Sequence, residues 1–312
     1  MVEEMINSPL TEGIWPGVSD GIYHADPCPE PSLSSGIARL LLSRSPMHAW
    51  HAHPRLNPNH EPRAGNKAMD AGSMIHKILL GVGQDIEVIE VPYGPKHAKA
   101  GQLVTDYKTD AAQAARDAVI ARGAIPVFAG DLAEIHEAAA AIRKGIEATV
   151  EGAMLFEPGI PEATLIWREG SIWCRARADY LLNDPFMPIL DLKTTKLSAN
   201  PEEWQRKLAA DYCFQDAFYR RGLTALRQET PPMRFIVGEQ EKPHGVAVCC
   251  AAPSLAAYAE DGVERAIRMW GKCLASGNWP GYSPQTAHVE CPPWLLNRME
   301  EQSMREELES ET

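Results

Sequence analysis

"ILDLKTT", residues 189–195, places two opposite charges, Asp191 and Lys193, two positions apart in a run that otherwise reads as a buried strand. Side chains along a strand alternate faces. Ile189, Asp191 and Lys193 therefore share one face, and Leu190 and Leu192 pack from the other. Burial makes charge expensive unless something completes it.

The preceding residues supply a partner. "ATLIWREGSIWCRARADYLL" (163–182) reads as two strands joined by a tight turn at Glu169-Gly170. In the second of these, Trp173, Arg175, Arg177 and Asp179 fall on one face. Cys174, Ala176 and Ala178 fall on the other, small enough for close packing under a helix. Pairing through the turn "NDPFMP" (183–188) brings Asp179 beside Asp191 and Lys193. Two carboxylates that converge repel each other. A divalent ion with oxygen ligands, Mg²⁺ or Mn²⁺, removes that cost, and a nearby lysine can orient a water or neutralise developing charge.

A bare DxK is more often a surface ion pair, so its neighbours decide. Glu162 stands at the start of the preceding strand. In the helix that follows, Leu208, Tyr212, Gln215 and Tyr219 fall at i, i+4, i+7 and i+11, on one face. The first two read as core and the last two as polar tips at the edge of a site. His76 lies in "GSMIHKILLG" (72–81), with Gly72 one turn earlier allowing another element to approach. A lone helical histidine is more often structural than a ligand.

The chain of 312 residues is 45% hydrophobic, enough for one large domain or two small ones. No apolar run is long enough to cross a bilayer. The first residues lack the apolar core of a signal peptide. Seven scattered cysteines without a CxxC pair argue against a disulfide framework and fit a reducing cytoplasm. The net charge of −12 argues against nonspecific coating of nucleic acid, yet residues 159–222 hold nine acidic and nine basic residues. The acidic excess lies elsewhere, notably in the C-terminal "MEEQSMREELESET". These features predict an irregular N-terminal arm over 1–32, one domain over 33–290 with helices flanking a central mixed sheet of about five strands (α/β or α+β), and an acidic tail over 291–312 that is frayed or disordered.

Taken in order, "SLSSGIARLLLSRSPMHAW", "GSMIHKILLG", "PEATLIWREGSIWCRARADYLL", "DLKTT", "YCFQDAFY" and "SGNWPGY" resemble the PD-(D/E)xK nuclease superfamily. More narrowly they resemble its RecE-like branch, the exonuclease VIII type of phages and prophages. Each motif is weak alone; order and spacing carry the signal over most of residues 32–282. The resemblance implies a restriction-endonuclease-like core and Mg²⁺- or Mn²⁺-dependent hydrolysis of linear double-stranded DNA in phage-type recombination. It implies that His76, Asp179, Asp191 and the backbone carbonyl of Leu192 bind the metal and that Lys193 positions the attacking water. Glu162 would serve a second metal or an outer role, and Gln215 and Tyr219 would support the site or touch the substrate backbone. Arg175 and Arg177 are candidates to hold a flanking phosphate, with Lys96 and Lys99 reaching DNA from a loop. The four-cysteine iron–sulfur cluster of related nucleases is not expected. A ring-shaped homo-oligomer with a basic channel and acidic exterior, and a single-strand annealing protein as partner, follow from the same resemblance. The alternatives are an inactive DNA-binding or assembly protein of this fold, and a Cas4-like or endonucleolytic nuclease.

Overall fold

The computed structural model of the protein describes residues 8–61, 67–95 and 97–310; Lys96 lies outside them. Its centre is the hairpin of β5 (Gly159–Glu169) and β6 (Ile172–Leu182). The next strand, β7 (Ile189–Thr195), is antiparallel to β6 but pairs with it only at Tyr180–Leu190 and Leu181–Ile189. β8 (Met233–Glu239) then runs parallel to β7 along its whole length, and β9 (Val246–Cys249) is antiparallel to β8. A parallel pair needs a crossover, here supplied by α7 (Pro201–Lys207) and α8 (Cys213–Arg227). These are the five strands that the sequence predicts, in a mixed sheet.

Two further short strands join the sheet, the first from the segment expected to be irregular and the second just after it. β1 (Gly13–Trp15) pairs antiparallel with β5, and β2 (Leu33–Ser34) pairs parallel with β6 at Cys174 and Arg175. Between them lies the short helix α1 (Asp20–His24). Strands of two or three residues are too short to show an alternation, so the pattern in the sequence misses them. One edge of β6 is thus divided: β2 takes it near residue 174, β7 takes it near residue 181, and Asp179 lies in the interval.

Each face of the sheet has its own core. On the first, α2 (Ser35–Ser43), α3 (Pro46–Ala52), α8 and α9 (Pro253–Ser276) cover Trp167, Cys174, Ala176, Ala178, Ile189 and Phe235. Gly222 of α8 admits the fully buried Trp167, whose ring would lie 2.8 Å from any Cβ added there. On the second, α4 (Lys67–Leu80) and α6 (Ala129–Glu147) cover Leu182, Leu190, Leu192 and Ile236. Ile189 therefore packs opposite to Leu190 and Leu192, as strand alternation requires. Between α4 and α6 the chain makes a small parallel pair, β3 (Ile86–Val88) and β4 (Ile125–Val127), linked through α5 (Asp110–Ala121).

Residues up to Pro280 form one compact unit and those from Gly281 another. The second contains α10 (Pro293–Ser310), so the acidic C-terminal stretch is helical over that range. None of the seven cysteines is in a disulfide. Among the described residues no helix is long and apolar enough to cross a membrane.

A buried ionic cluster ties the N-terminal segment to the sheet. Asp26 accepts from the backbone N–H and hydroxyl of Ser32, lies 3.0 Å from Arg175 Nη1 and 3.3 Å from His53 Nε2, and its side chain is fully enclosed. Burial pushes its carboxyl pKa up, but His53, Arg175 and Ser32 together hold it below the ordinary value. Asp26→Ala leaves the Arg175 charge buried without its partner and is expected to cost about 3–5 kcal/mol, read from the denaturant midpoint. A folded-state pKa below the unfolded one stabilises at pH above the unfolded value of about 4 and ceases to do so as pH falls through the folded value. The gap between wild type and variant should therefore close on acidification.

Candidate active site

The site grows from a fault in the sheet. Along β5, Ile160 and Ala163 both pack on the first core, and along β6 so do Ala178 and Leu181. Strict alternation would put residues three apart on opposite faces. The pattern slips by one residue in both strands at the same level, that of Glu162 and Asp179, where the ladder is interrupted between the pairs Pro161–Tyr180 and Ala163–Ala178. Glu162 takes φ +46°, a left-handed backbone that is uncommon for a residue with a side chain. On the other side of β6, the Asp179 carboxylate accepts a 2.8 Å hydrogen bond from the Leu192 N–H. The acid thus bridges the gap where β7 has left β6. Since N–H and C=O of one strand residue point to the same edge, the Leu192 carbonyl also faces this gap.

Around Asp179 four other groups gather. Asp191, wholly buried, is ion-paired with the Lys193 ammonium, which lies 4.0 Å from Asp179 Oδ2. His76 of α4 sets Nε2 3.5 Å from Asp179 and Nδ1 3.9 Å from Glu162. Gly72, one turn before His76, lets α4 approach β7: a Cβ there would meet Thr194 Oγ1 at 2.7 Å. Gln215 of α8 donates through Nε2 to Asp191 Oδ1.

These neighbours pull the two acids apart electrostatically. Burial pushes the Asp191 pKa up, and the charge of Asp179 adds to that against Lys193 and His76. Asp179 feels the same burial, but Lys193, His76 and the Leu192 N–H hold its pKa down. Lys193 is disfavoured as a cation by burial, yet Asp191 and Asp179 raise its pKa, so it stays charged. His76 is pulled down by burial and raised on balance by Asp179 and Glu162.

The helix after β7 is not continuous. Asn200 caps α7 by accepting from the Glu202 N–H, and a single π-helical turn, Leu208–Tyr212, separates α7 from α8. Such turns recur at functional sites. Leu208 is core, as expected, but Tyr212 is only part-buried and presents its ring to Lys193, with Nζ 5.3 Å from the ring centroid. Its place three residues before Gln215 was the available signal. Tyr219 is 7% exposed and belongs to the first core. Burial, with Tyr23, Asp191 and Asp179 nearby, keeps its phenol protonated. Of the two roles expected for Tyr219, this position suits support beneath the acids.

The two arginines do not offer a free phosphate clamp. Arg175 is 4% exposed, and its guanidinium is committed to Asp26 and Ser32. The partner that claims it comes from the N-terminal segment, not from a flanking phosphate as the sequence suggests. Arg177 Nη2 lies 2.5 Å from Asp20 of α1, Nη1 lies 3.9 Å from Glu162, and Tyr23 covers its plane at 4.7 Å. Asp20 had no signal in the sequence, since its partner is more than 150 residues away. Lys99 approaches the ring of Tyr93 at 6.0 Å.

Among the described residues, no group of three or more His, Cys, Asp or Glu side chains is closed into a cage for a metal ion. The Lys193 ammonium stands between the two carboxylates instead. The chemistry of the set nevertheless fits a hard divalent ion: a wholly buried acid and a half-buried one whose charge raises its cost of ionisation, with an imidazole beside them. Beside Gln215 opens a cleft of about 270 Å³ lined by Ser35, Gly36, Arg39, Asp211 and Tyr212, with Arg39 and Asp211 ion-paired across it.

A family model described as "PDDEXK-like domain of unknown function (DUF3799)" matches residues 42–291. A crystal structure from Eubacterium rectale, described as a "Putative exonuclease", is similar in fold, with a TM-score of 0.52 over 84% of this chain and 90% of that one. The two are 10% identical in sequence, so the likeness is one of architecture. Among curated proteins no sequence matches this chain.

Gly72→Ala is expected to destabilise the protein by about 1–3 kcal/mol through overpacking against Thr194. Combined with Thr194→Ala the loss should be less than additive, which paired thermal or chemical melts of the four proteins of the cycle will show.

Proposed function

The chain belongs to the PDDEXK-like DUF3799 family, and from that premise we propose that it is a metal-dependent DNA exonuclease acting on linear duplexes. The observation that carries the reading is the meeting of Asp179, Asp191, Lys193 and His76 at the level where β6 and β7 part. A site degenerated into a binding module would be free to lose any of these groups; here Glu162 is present too, at the cost of an unusual backbone conformation.

Asp179, Asp191, His76 and the Leu192 carbonyl would hold the ion, Mg²⁺ or Mn²⁺. When bound, such an ion supplies Lewis-acid polarisation of a phosphate and a lowered pKa for water. The chain does the rest. Lys193, kept cationic by its two acids, is suited to hold a water or offset negative charge at the phosphorus, and not to act as a base. Gln215 fixes the orientation of Asp191. Tyr219 closes the floor of the site against the core. The RecE-like character, the recombination role and an annealing partner are proposed on the resemblance of the motifs alone, and a ring that turns an acidic exterior outward on that resemblance together with the net charge of −12.

Duplexes labelled at the 5′ or 3′ end, and closed circular duplex, incubated with Mg²⁺ or with EDTA, test this. The expected result is Mg²⁺-dependent shortening of the linear duplexes from an end and none of the circle. Asp191→Ala and Lys193→Ala should each abolish cleavage while circular dichroism stays that of wild type. Cleavage that survives in either variant, or in EDTA, would reject the assignment.

A further inference from the structure

We infer that Tyr212 is a positioning residue for Lys193, its ring face holding the ammonium toward Asp191 and Asp179. The inference deepens the nuclease reading and rests on it for the catalytic consequence, though not for the geometry.

Lysine carries its charge on a flexible four-carbon stem, so a lysine that must stand at one spot needs restraint from more than one side. Two sides are the acids: the pair with Asp191 and the 4.0 Å approach to Asp179. The third is the Tyr212 ring, at 5.3 Å, within the reach of a cation–π contact. The ring is itself held. It stacks on Trp204 with centroids 5.3 Å apart and planes 10° apart, and both rings lean on Phe235 at 5.8 Å. Trp204 is 3% exposed and Phe235 fully buried, so the stack is anchored in the first core. Trp204 and Tyr212 are eight residues apart, which in unbroken α-helix separates backbones by about 12 Å. The π-helical turn lies between them, ending on Tyr212 itself. A second cation, the half-buried Lys207, comes within 5.8 Å of the same ring. The ring is therefore set among positive charges, and only Lys193 among them also touches the acids.

A ring that only filled space could be replaced by another apolar side chain. A ring that positions a charge needs its π face. Tyr212→Phe keeps the face and loses the hydroxyl; Tyr212→Leu keeps apolar bulk and loses the face. Single-turnover cleavage of a linear duplex should be slowed about fivefold by Tyr212→Leu. The DNA concentration at half-saturation should stay within about twofold, and Tyr212→Phe should restore the rate. An unchanged rate in the Leu variant, or equal impairment of the Phe variant, would overturn the proposal.

The same variants give a readout independent of cleavage. In protein labelled with ¹³Cε-lysine and free of metal, the Lys193 methylene signal, assigned by its loss in Lys193→Arg, should be shifted upfield by the ring current. The shift should persist in Tyr212→Phe and vanish in Tyr212→Leu. No upfield shift in the wild type would sink the inference whatever the cleavage assay shows. A clear shift in a protein that does not cut DNA would leave the contact standing and reject the nuclease reading instead.

Discussion

The hydrogen bond from the Leu192 N–H to the Asp179 carboxylate is the interaction on which the site depends. Two strands joined by a short turn would ordinarily continue pairing. Here they share two residue pairs and separate, and a side chain takes over the donor that the ladder abandons. An unmet backbone N–H in a buried interval is costly. Its capture by Asp179 both stabilises the opening and fixes the carboxylate within it. A charged acceptor makes the stronger kind of hydrogen bond, so the acid that would serve the chemistry also holds the gap that admits it.

Around this interval the fold arranges support from both layers. α4 brings His76 from the second-core side, α8 brings Gln215 from the first, and Lys193 follows Asp191 on β7. The N-terminal segment contributes in a different way. Its Asp26 consumes Arg175 and its Asp20 consumes Arg177, the two cations nearest Asp179 along β6. Lys193 and His76 are then the positive groups that face the acids. A site of this kind needs cations few enough that a metal is not excluded, and the arm withdraws two.

The core of the fold was legible because β7 states its faces plainly. Ile189 and the Leu190–Leu192 pair go to opposite cores, and the small residues Cys174, Ala176 and Ala178 lie under α8, as alternation requires. What alternation cannot show is its own interruption. The slip at Glu162 and Asp179 coincides with a break in the β5–β6 ladder, and the one local mark of it is Pro161, which has no N–H to give to a ladder. Arg175 and Arg177 read as surface cations because their partners are distant in the chain. Tyr212 and Tyr219 were visible as one helical face; the π-turn between α7 and α8 ends on Tyr212, whose ring meets Lys193, while Tyr219, two turns on in α8, lies in the core.

The left-handed backbone of Glu162 has a consequence for how such a chain responds to selection. A side chain in that conformation costs about 1 kcal/mol relative to glycine. On the proposed reading, in which Glu162 serves the site, screening variants for thermal resistance alone would favour glycine at this position and enrich sturdier molecules that lack its carboxylate. Recovering hardier versions without that outcome requires a screen that rewards turnover along with endurance, because at this residue the two demands point in opposite directions.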